Sequence, residues 1–128
     1  MLNDTLNILI SEKYIGSSKR VNRTYYLDLF MEAQNILFIK HKIDFDNIKD
    51  VHFVQRAFSI EFIKPLHLND KVIIKSSISK LGSSSFVLKQ EITNNNVITT
   101  TAQTVYVSIN DLGDKILLPD NIRAQLSE

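Results

Sequence analysis

Hydrophobic residues recur along this chain with two different periods, and the change of period divides it into elements. Leu6, Ile8 and Ile10 alternate with Asn7, Leu9 and Ser11, a period of two that predicts a first strand running towards Tyr14 and ending near Gly16. The segment Gly16-Ser17-Ser18-Lys19-Arg20 is polar and rich in turn formers, and Asn22 or Thr24 can cap a helix after it. From Thr24 to about His41 no Gly or Pro intervenes, and Tyr26, Phe30, Ala33 and Leu37 recur at helical spacing. This predicts one long amphipathic helix. A neighbouring stripe of Tyr25, Asp28, Leu29 and Glu32 carries polar groups that a purely structural face does not need.

After a polar connection, Asp44 to Asp50, the period of two returns and four strands read in succession. Phe58, Ile60 and Phe62 form one that stops at Pro65; Val72, Ile74, Ser76 and Ile78 form the next, stopping at Leu81-Gly82. Phe86, Leu88, Gln90 and Ile92 lead to Asn94-Asn95-Asn96, a hairpin tip because Asn tolerates positive φ. Val97 to Asn110 is a long last strand with Thr99, Thr101, Gln103, Val105 and Val107 on one face, and Pro119 to Leu126 reads as a terminal helix. One helix cannot cover a flat five-stranded sheet, so the sheet must curl round it and bury the Tyr26, Phe30, Ala33, Leu37 stripe. The expectation is a single α+β domain, residues 1–128, whose four later strands form an antiparallel meander. Thr99, Thr101 and Ser76 are expected on the outer face, beside Val and Ile that suit pairing with a second subunit.

Composition narrows the chemistry. The 128 residues contain no cysteine, which removes disulfides, thiolate nucleophiles and cysteine-ligated metals. A formal charge of +1 provides no global field for a nucleic-acid backbone. His41, His52 and His67 have no metal-ligand spacing, so no metal site is read. There is no G-x-S-x-G and no phosphate-cradling glycine loop. Met1 to Ile10 lacks a basic leader, and no apolar run approaches the roughly 20 residues that span a bilayer. A cytoplasmic protein without a membrane span is the expectation.

Five segments then fall in a recognisable order: Val21-Asn22-Arg23-Thr24-Tyr25-Tyr26-Leu27 with Phe30-Met31-Glu32-Ala33; Ile60-Glu61-Phe62-Ile63-Lys64-Pro65; Asn69-Asp70-Lys71-Val72; Leu81-Gly82-Ser83-Ser84-Ser85-Phe86; and Thr104-Val105-Tyr106-Val107 with Leu118-Pro119. Together they resemble the hotdog-fold acyl-CoA thioesterases of the 4-hydroxybenzoyl-CoA thioesterase type. The resemblance covers nearly the whole chain. It implies a hotdog fold, hydrolysis of an acyl-CoA or acyl-carrier-protein thioester, coenzyme A as part of the substrate with no separate cofactor, and a homodimer or homotetramer with sites between subunits. One position departs. With Val21-Asn22 on the family's "V-N", Gly16 stands where the family keeps an aspartate, and the turn from Gly16 to Arg20 contains no carboxylate.

Thioester hydrolysis needs donors for the oxygen that gathers charge and a base to activate water. Helix-start amides around Asn22 to Tyr25 supply the first need; the Asn22 side chain can donate or can cap, and the two roles compete. Two helix acids, Asp28 and Glu32, are candidates for the second. Tyr25 to Glu32 spans about 10 Å of helix axis, so Asp28 suits a site on its own subunit and Glu32 one completed by a partner. The competing reading is structural: Glu32 tied into the core, Asp28 a solvated acid. For the substrate, Arg23 with Lys19 and Arg20, Tyr25 and Tyr26, and the small run Gly82, Ser83, Ser84 and Ser85 are the candidate contacts. The alternative function is a non-catalytic acyl-CoA or acyl-carrier-protein binding module.

Overall fold

The structure, a computed structural model, describes residues 1–16 and 18–128; Ser17, within the expected turn, lies outside the described residues. The elements are β1 (Asn3–Leu9), a single 3-10 turn (Glu12–Tyr14), α1 (Arg23–Lys40), β2 (His52–Phe62), β3 (Lys71–Leu81), β4 (Ser85–Asn94), β5 (Val97–Ile109) and α2 (Asp120–Leu126). The five strands form one sheet in the order β1-β3-β4-β5-β2, with every neighbouring pair antiparallel. No helix among the described residues is long and apolar enough to cross a membrane.

Three expectations need correction. The first strand ends at Leu9, and the chain turns through Glu12–Tyr14 instead of running on. β2 begins at His52, before the clean alternation, because a register shift between Gln55 and Ala57 inserts an extra residue and breaks the period of two. β2 also lies on the outer side of β5 and not beside β3. Only β3, β4 and β5 form a meander, and residues 63–70 carry the chain from one edge of the sheet back to its other half.

The predicted helix stripe is the core stripe: Tyr26, Phe30, Ala33 and Leu37 are all buried, with Leu29. Around the helix start, Tyr26, Leu29 and Phe30 pack with Val72, Ile74 and Ile92. Towards the helix end, Leu37 and Phe38 pack with Ile78, Phe86, Leu88 and Ile122 of α2. Between the two clusters runs a buried polar chain. The Gln34 amide nitrogen donates to Gln90 Oε1 at 2.9 Å and to Thr104 Oγ1 at 3.2 Å, while the Tyr106 hydroxyl donates to Gln34 Oε1. Gln90 Nε2 donates in turn to the Phe30 carbonyl and to Ser76 Oγ, each at 3.0 Å. Ser76 is therefore a core residue and not an outer-face one. Thr99 is also buried, its hydroxyl donating to the Ile92 carbonyl beside the register shift in β4.

At the outer edge of β1, Asp4 collects three donors. Its Oδ1 accepts from Thr5 N at 2.8 Å, and its Oδ2 lies 2.8 Å from Lys40 Nζ and 3.1 Å from His41 Nε2. The hydrogen bond from Lys40 is the largest of the effects that hold the Asp4 carboxyl down at about 2. The edge strand is thereby tied to the end of α1.

The core makes a contrast in stability that chemical denaturation can read. Gln34→Leu leaves the buried Gln90 Oε1 without its donor, while the Tyr106 hydroxyl keeps only Gln55 Nε2 at 3.0 Å, and is expected to cost at least about 2 kcal/mol. Ser108 has the opposite character, since its buried hydroxyl has no partner among the described residues. Ser108→Ala is expected to be neutral or stabilising by up to about 1 kcal/mol. Equal losses in the two variants would contradict this account of the core.

Candidate functional site

The loop before α1 is pinned to the β2–β3 connection by backbone bonds. Val21 N donates to the Leu66 carbonyl at 2.9 Å and Leu68 N to the Lys19 carbonyl at 3.1 Å, with a further bridge between Arg20 and His67. On the other flank Ile15 bridges to Val21, and Asn22 N donates to the Tyr14 carbonyl at 3.3 Å. These bonds set the loop against the end of β2 and leave a cleft of about 450 Å³ beside the helix start. Arg20, Arg23 and Lys64 bring cations to it, and Tyr26, Phe62, Ile63 and Pro65 give it an apolar wall. No carboxylate lines it among the described residues. A cleft that combines three cations with an apolar wall can hold a ligand with both anionic and apolar parts.

Two of the expected substrate contacts, Arg23 and Tyr26, are in this cleft. Tyr26 is buried at its floor; its hydroxyl accepts from Leu66 N at 3.3 Å and its ring meets Phe62 edge-on at 4.9 Å. Burial is the main cause that pushes its phenol up from the ordinary range. Tyr25 is half-buried and packs against the apolar cluster at the helix start. Phe62 and Lys64 were not singled out from the sequence as contacts. The signal for Phe62 was its place in the inward-facing series Phe58, Ile60, Phe62, just before the turn at Pro65.

Asn22 resolves the competition between capping and donating. Its Oδ1 accepts from Thr24 N and from the Thr24 hydroxyl, both at 3.2 Å, so the oxygen caps the helix. The amide nitrogen is the other end of the group and faces Gly16: a Cβ placed on that glycine would lie 3.3 Å from Nδ2. The expected cluster of free amides is smaller than foreseen, because Thr24 N is capped and Tyr25 N donates to the Asn22 carbonyl at 2.9 Å. Among the described residues the Arg23 N–H is left without a partner.

The two helix acids face elsewhere. Glu32 is six residues past Tyr26, roughly 120° round the helix, and its Oε2 accepts from the Tyr14 hydroxyl at 2.6 Å. Lys13 Nζ stands 4.0 Å from the same oxygen and 4.8 Å from the centre of the Tyr14 ring. Burial, then the bond to Glu32, pushes the Tyr14 phenol up. Asp28 is exposed on that side of the helix; the Tyr14 hydroxyl first, then Glu32 and least Asp28, push the Lys13 ammonium up. Tyr14 was missed because an aromatic between Lys13 and Ile15 reads as the end of a strand.

The run Gly82 to Ser85 is not brought to the cleft within one chain. It makes the turn between β3 and β4 at the other end of the helix, where its carbonyls are already occupied. Arg123 Nη2 of α2 donates to Gly82 O at 2.7 Å and to Ser83 O at 3.0 Å, Leu118 N donates to Ser83 O, and Ser108 N to Ser84 O. Glycine is needed at position 82, since a Cβ there would sit 2.9 Å from Ser85 Oγ and 3.3 Å from the Ser85 carbonyl.

Comparisons with known proteins bear on this geometry. Residues 19–101 match the sequence profile of the family described as the thioesterase superfamily, a span that begins just after Gly16 and takes in the cleft residues from Arg20 to Pro65. No curated protein matches the chain by sequence. Among solved structures, a 1,4-dihydroxy-2-naphthoyl-CoA thioesterase from Synechocystis superposes with a TM-score of 0.91 at 20% identity, over 98% of this chain and 96% of that one. A probable thioesterase from Bartonella henselae gives 0.80 at 21% identity, over 91% and 99%. A Staphylococcus aureus protein solved in complex with CoA gives 0.84 at 13% identity, over 99% and 84%. At these identities the structural likeness shows the fold.

The Tyr14–Glu32 bond is expected to appear as a coupling energy. In a double-mutant cycle of Tyr14→Phe and Glu32→Leu, thermal or denaturant unfolding should give a coupling of about 1–2 kcal/mol, because the bond has a charged acceptor. Additive losses would mean that the two side chains do not act as a pair.

Proposed function

The chain belongs to the thioesterase superfamily, and from that premise we propose that it hydrolyses an acyl thioester, carried by coenzyme A or an acyl-carrier protein, at the cleft beside the helix start. The observation that supports this reading most directly is the composition of the cleft: Arg20, Arg23 and Lys64 beside an apolar wall. The cations suit the phosphates of the carrier, and the wall suits the acyl group.

In this reading the thioester carbonyl points at the helix start, where the Arg23 N–H and Asn22 Nδ2 donate to the oxygen as it gains charge. Water attacks the carbonyl carbon while a carboxylate takes its proton. The C–S bond then breaks, and the thiolate leaves with that proton. Glu32 or Asp28 is the proposed base. Both turn away from the cleft of their own chain, so each serves the cleft of a neighbouring copy in a homodimer or homotetramer; Gly82 to Ser85 can contribute only in the same way. β2 offers the seam for such an assembly, being an edge strand with Val54, Phe62 and Ile63 exposed along or just beyond it. The proposed location is the cytoplasm.

A second reading is favoured by one observation, the lack of a carboxylate both in the cleft and at Gly16: the chain binds an acyl-CoA or acyl-carrier protein without cleaving it. Thiol release from short, long and aromatic acyl-CoA substrates, run beside thermal-shift titrations, separates the two. Hydrolysis is expected, with Glu32→Gln or Asp28→Asn lowering turnover by roughly 10²-fold or more for whichever is the base; undiminished rates in both variants would remove the helix acids from the mechanism. A melting temperature raised by acyl-CoA without thiol release would establish the binding reading. In that case Gly16→Asp becomes informative, because φ at Gly16 is not left-handed and, among the described residues, a Cβ there is crowded only by Asn22 Nδ2. The variant is expected to gain hydrolysis at least about tenfold above background.

Sites shared between copies require an oligomer. Light scattering or sedimentation is expected to give at least twice the protomer mass, and a lone protomer at micromolar concentration would contradict the shared site.

A further inference from the structure

Two aromatic residues that line the cleft, Tyr26 and Phe62, pack against each other. Phe62 meets Tyr26 edge-to-face at 4.9 Å, and the Tyr26 hydroxyl is fixed by Leu66 N at 3.3 Å, so the tyrosine ring cannot swing aside without breaking a buried bond. Beyond Phe62 on the same face of β2 come Ile60 and Phe58. Both are only half-buried, although they pack against the apolar cluster under the helix start, and Phe58 stands 6.5 Å from Phe30. A partly covered apolar row thus runs on from the pair along β2, and neither Ile60 nor Phe58 lines the cleft of about 450 Å³.

We propose that the Tyr26–Phe62 pair is a stop for the acyl group, and that Phe62 is the residue that sets the accepted length. This rests on the cleft being the acyl-thioester site but not on whether the ester is cleaved. A compact or flat acyl group ends against the ring edges. A long chain has nowhere to go except out to solvent, because the route along Ile60 and Phe58 is blocked by Phe62. Phe62 is also the member of the pair that can change without dismantling the core: it is 45% exposed, whereas Tyr26 is 4% exposed and hydrogen-bonded. Each methylene that gains a buried apolar path is worth roughly fourfold in affinity, so opening the row is expected to be easily measured.

The test is calorimetric titration of the full chain with S-alkyl-CoA thioethers of graded length and with S-benzyl-CoA, which hydrolysis cannot consume. The wild-type protein is expected to favour ethyl and benzyl over dodecyl. In Phe62→Ala the ratio of dodecyl to ethyl affinity should rise at least about tenfold, and in Phe62→Trp it should fall below the wild-type ratio. Tyr26→Phe, which keeps the ring and loses the hydroxyl, should loosen the stop and move the ratio in the same direction as Phe62→Ala but by less. Circular dichroism confirms that each variant is folded. A length profile unchanged in both Phe62 variants, or a wild-type preference for dodecyl, overturns the stop while leaving the cleft as the binding site. Failure of every CoA thioether to bind overturns the cleft reading and the stop together.

Discussion

The hydrogen bond between Gln34 and Gln90 is the constraint on which the rest of the molecule depends. An apolar helix on an apolar sheet can roll or slide at little cost, since dispersion contacts are non-directional. Gln34 removes that freedom by bonding at once to β4 through Gln90 and to β5 through Thr104 and Tyr106. Gln90 then reaches the backbone of the helix itself at the Phe30 carbonyl. Because the network is buried, only one roll of α1 satisfies it. That roll sends Tyr26 down towards Phe62, leaves Arg23 over the cleft, and turns Asp28 and Glu32 away.

The consequence for chemistry is a separation of charge across the helix start. One flank carries Arg20, Arg23 and Lys64; the other carries Glu32 and Asp28 with Lys13 and the Tyr14 hydroxyl. A carboxylate inside the cleft would partly cancel the field that attracts phosphate, so keeping the acids on the far flank favours binding. It also means that one chain alone does not place a base beside a thioester. In the superfamily reading this turns the second copy into part of the chemistry, and in the binding reading it leaves the cleft as a receptor.

Much of the fold was readable in the sequence because it is encoded by local periodicity. The Tyr26, Phe30, Ala33, Leu37 stripe and the alternations in β3 and β4 all became buried faces. What was misread has a common cause in non-local pairing. The extra residue near Arg56 breaks the alternation of β2, so the strand is legible only from Phe58 on. The placement of β2 beside β5 depends on where residues 63–70 cross, which no local pattern states. Arg23 and Tyr26, which line the cleft, and Asn22, which caps the helix beside it, are legible in the sequence because a helix start has its own signature. Lys64 and Phe62 reach the cleft only through the fold, and Tyr14 meets Glu32 across 18 positions of sequence. The run Gly82 to Ser85 is set apart for the converse reason: its carbonyls close a tight turn under Arg123, at the far end of the helix from the cleft of its own chain.

The cluster at Asp4 also bears on how such a sheet can grow. On β1 the Thr5 N–H is already taken by Asp4 Oδ1, and Lys40 and His41 are drawn over the same residue. Charges at a strand edge and occupied donors discourage another strand from adding there. On β2, at the other end of the sheet, no backbone N–H is taken by a side chain among the described residues. A sheet with one blunted edge and one bare edge can accept a single neighbour and then presents no further place to extend. In the proposed assembly, pairing through β2 would therefore be self-limiting, closing about a two-fold axis instead of extending as a filament.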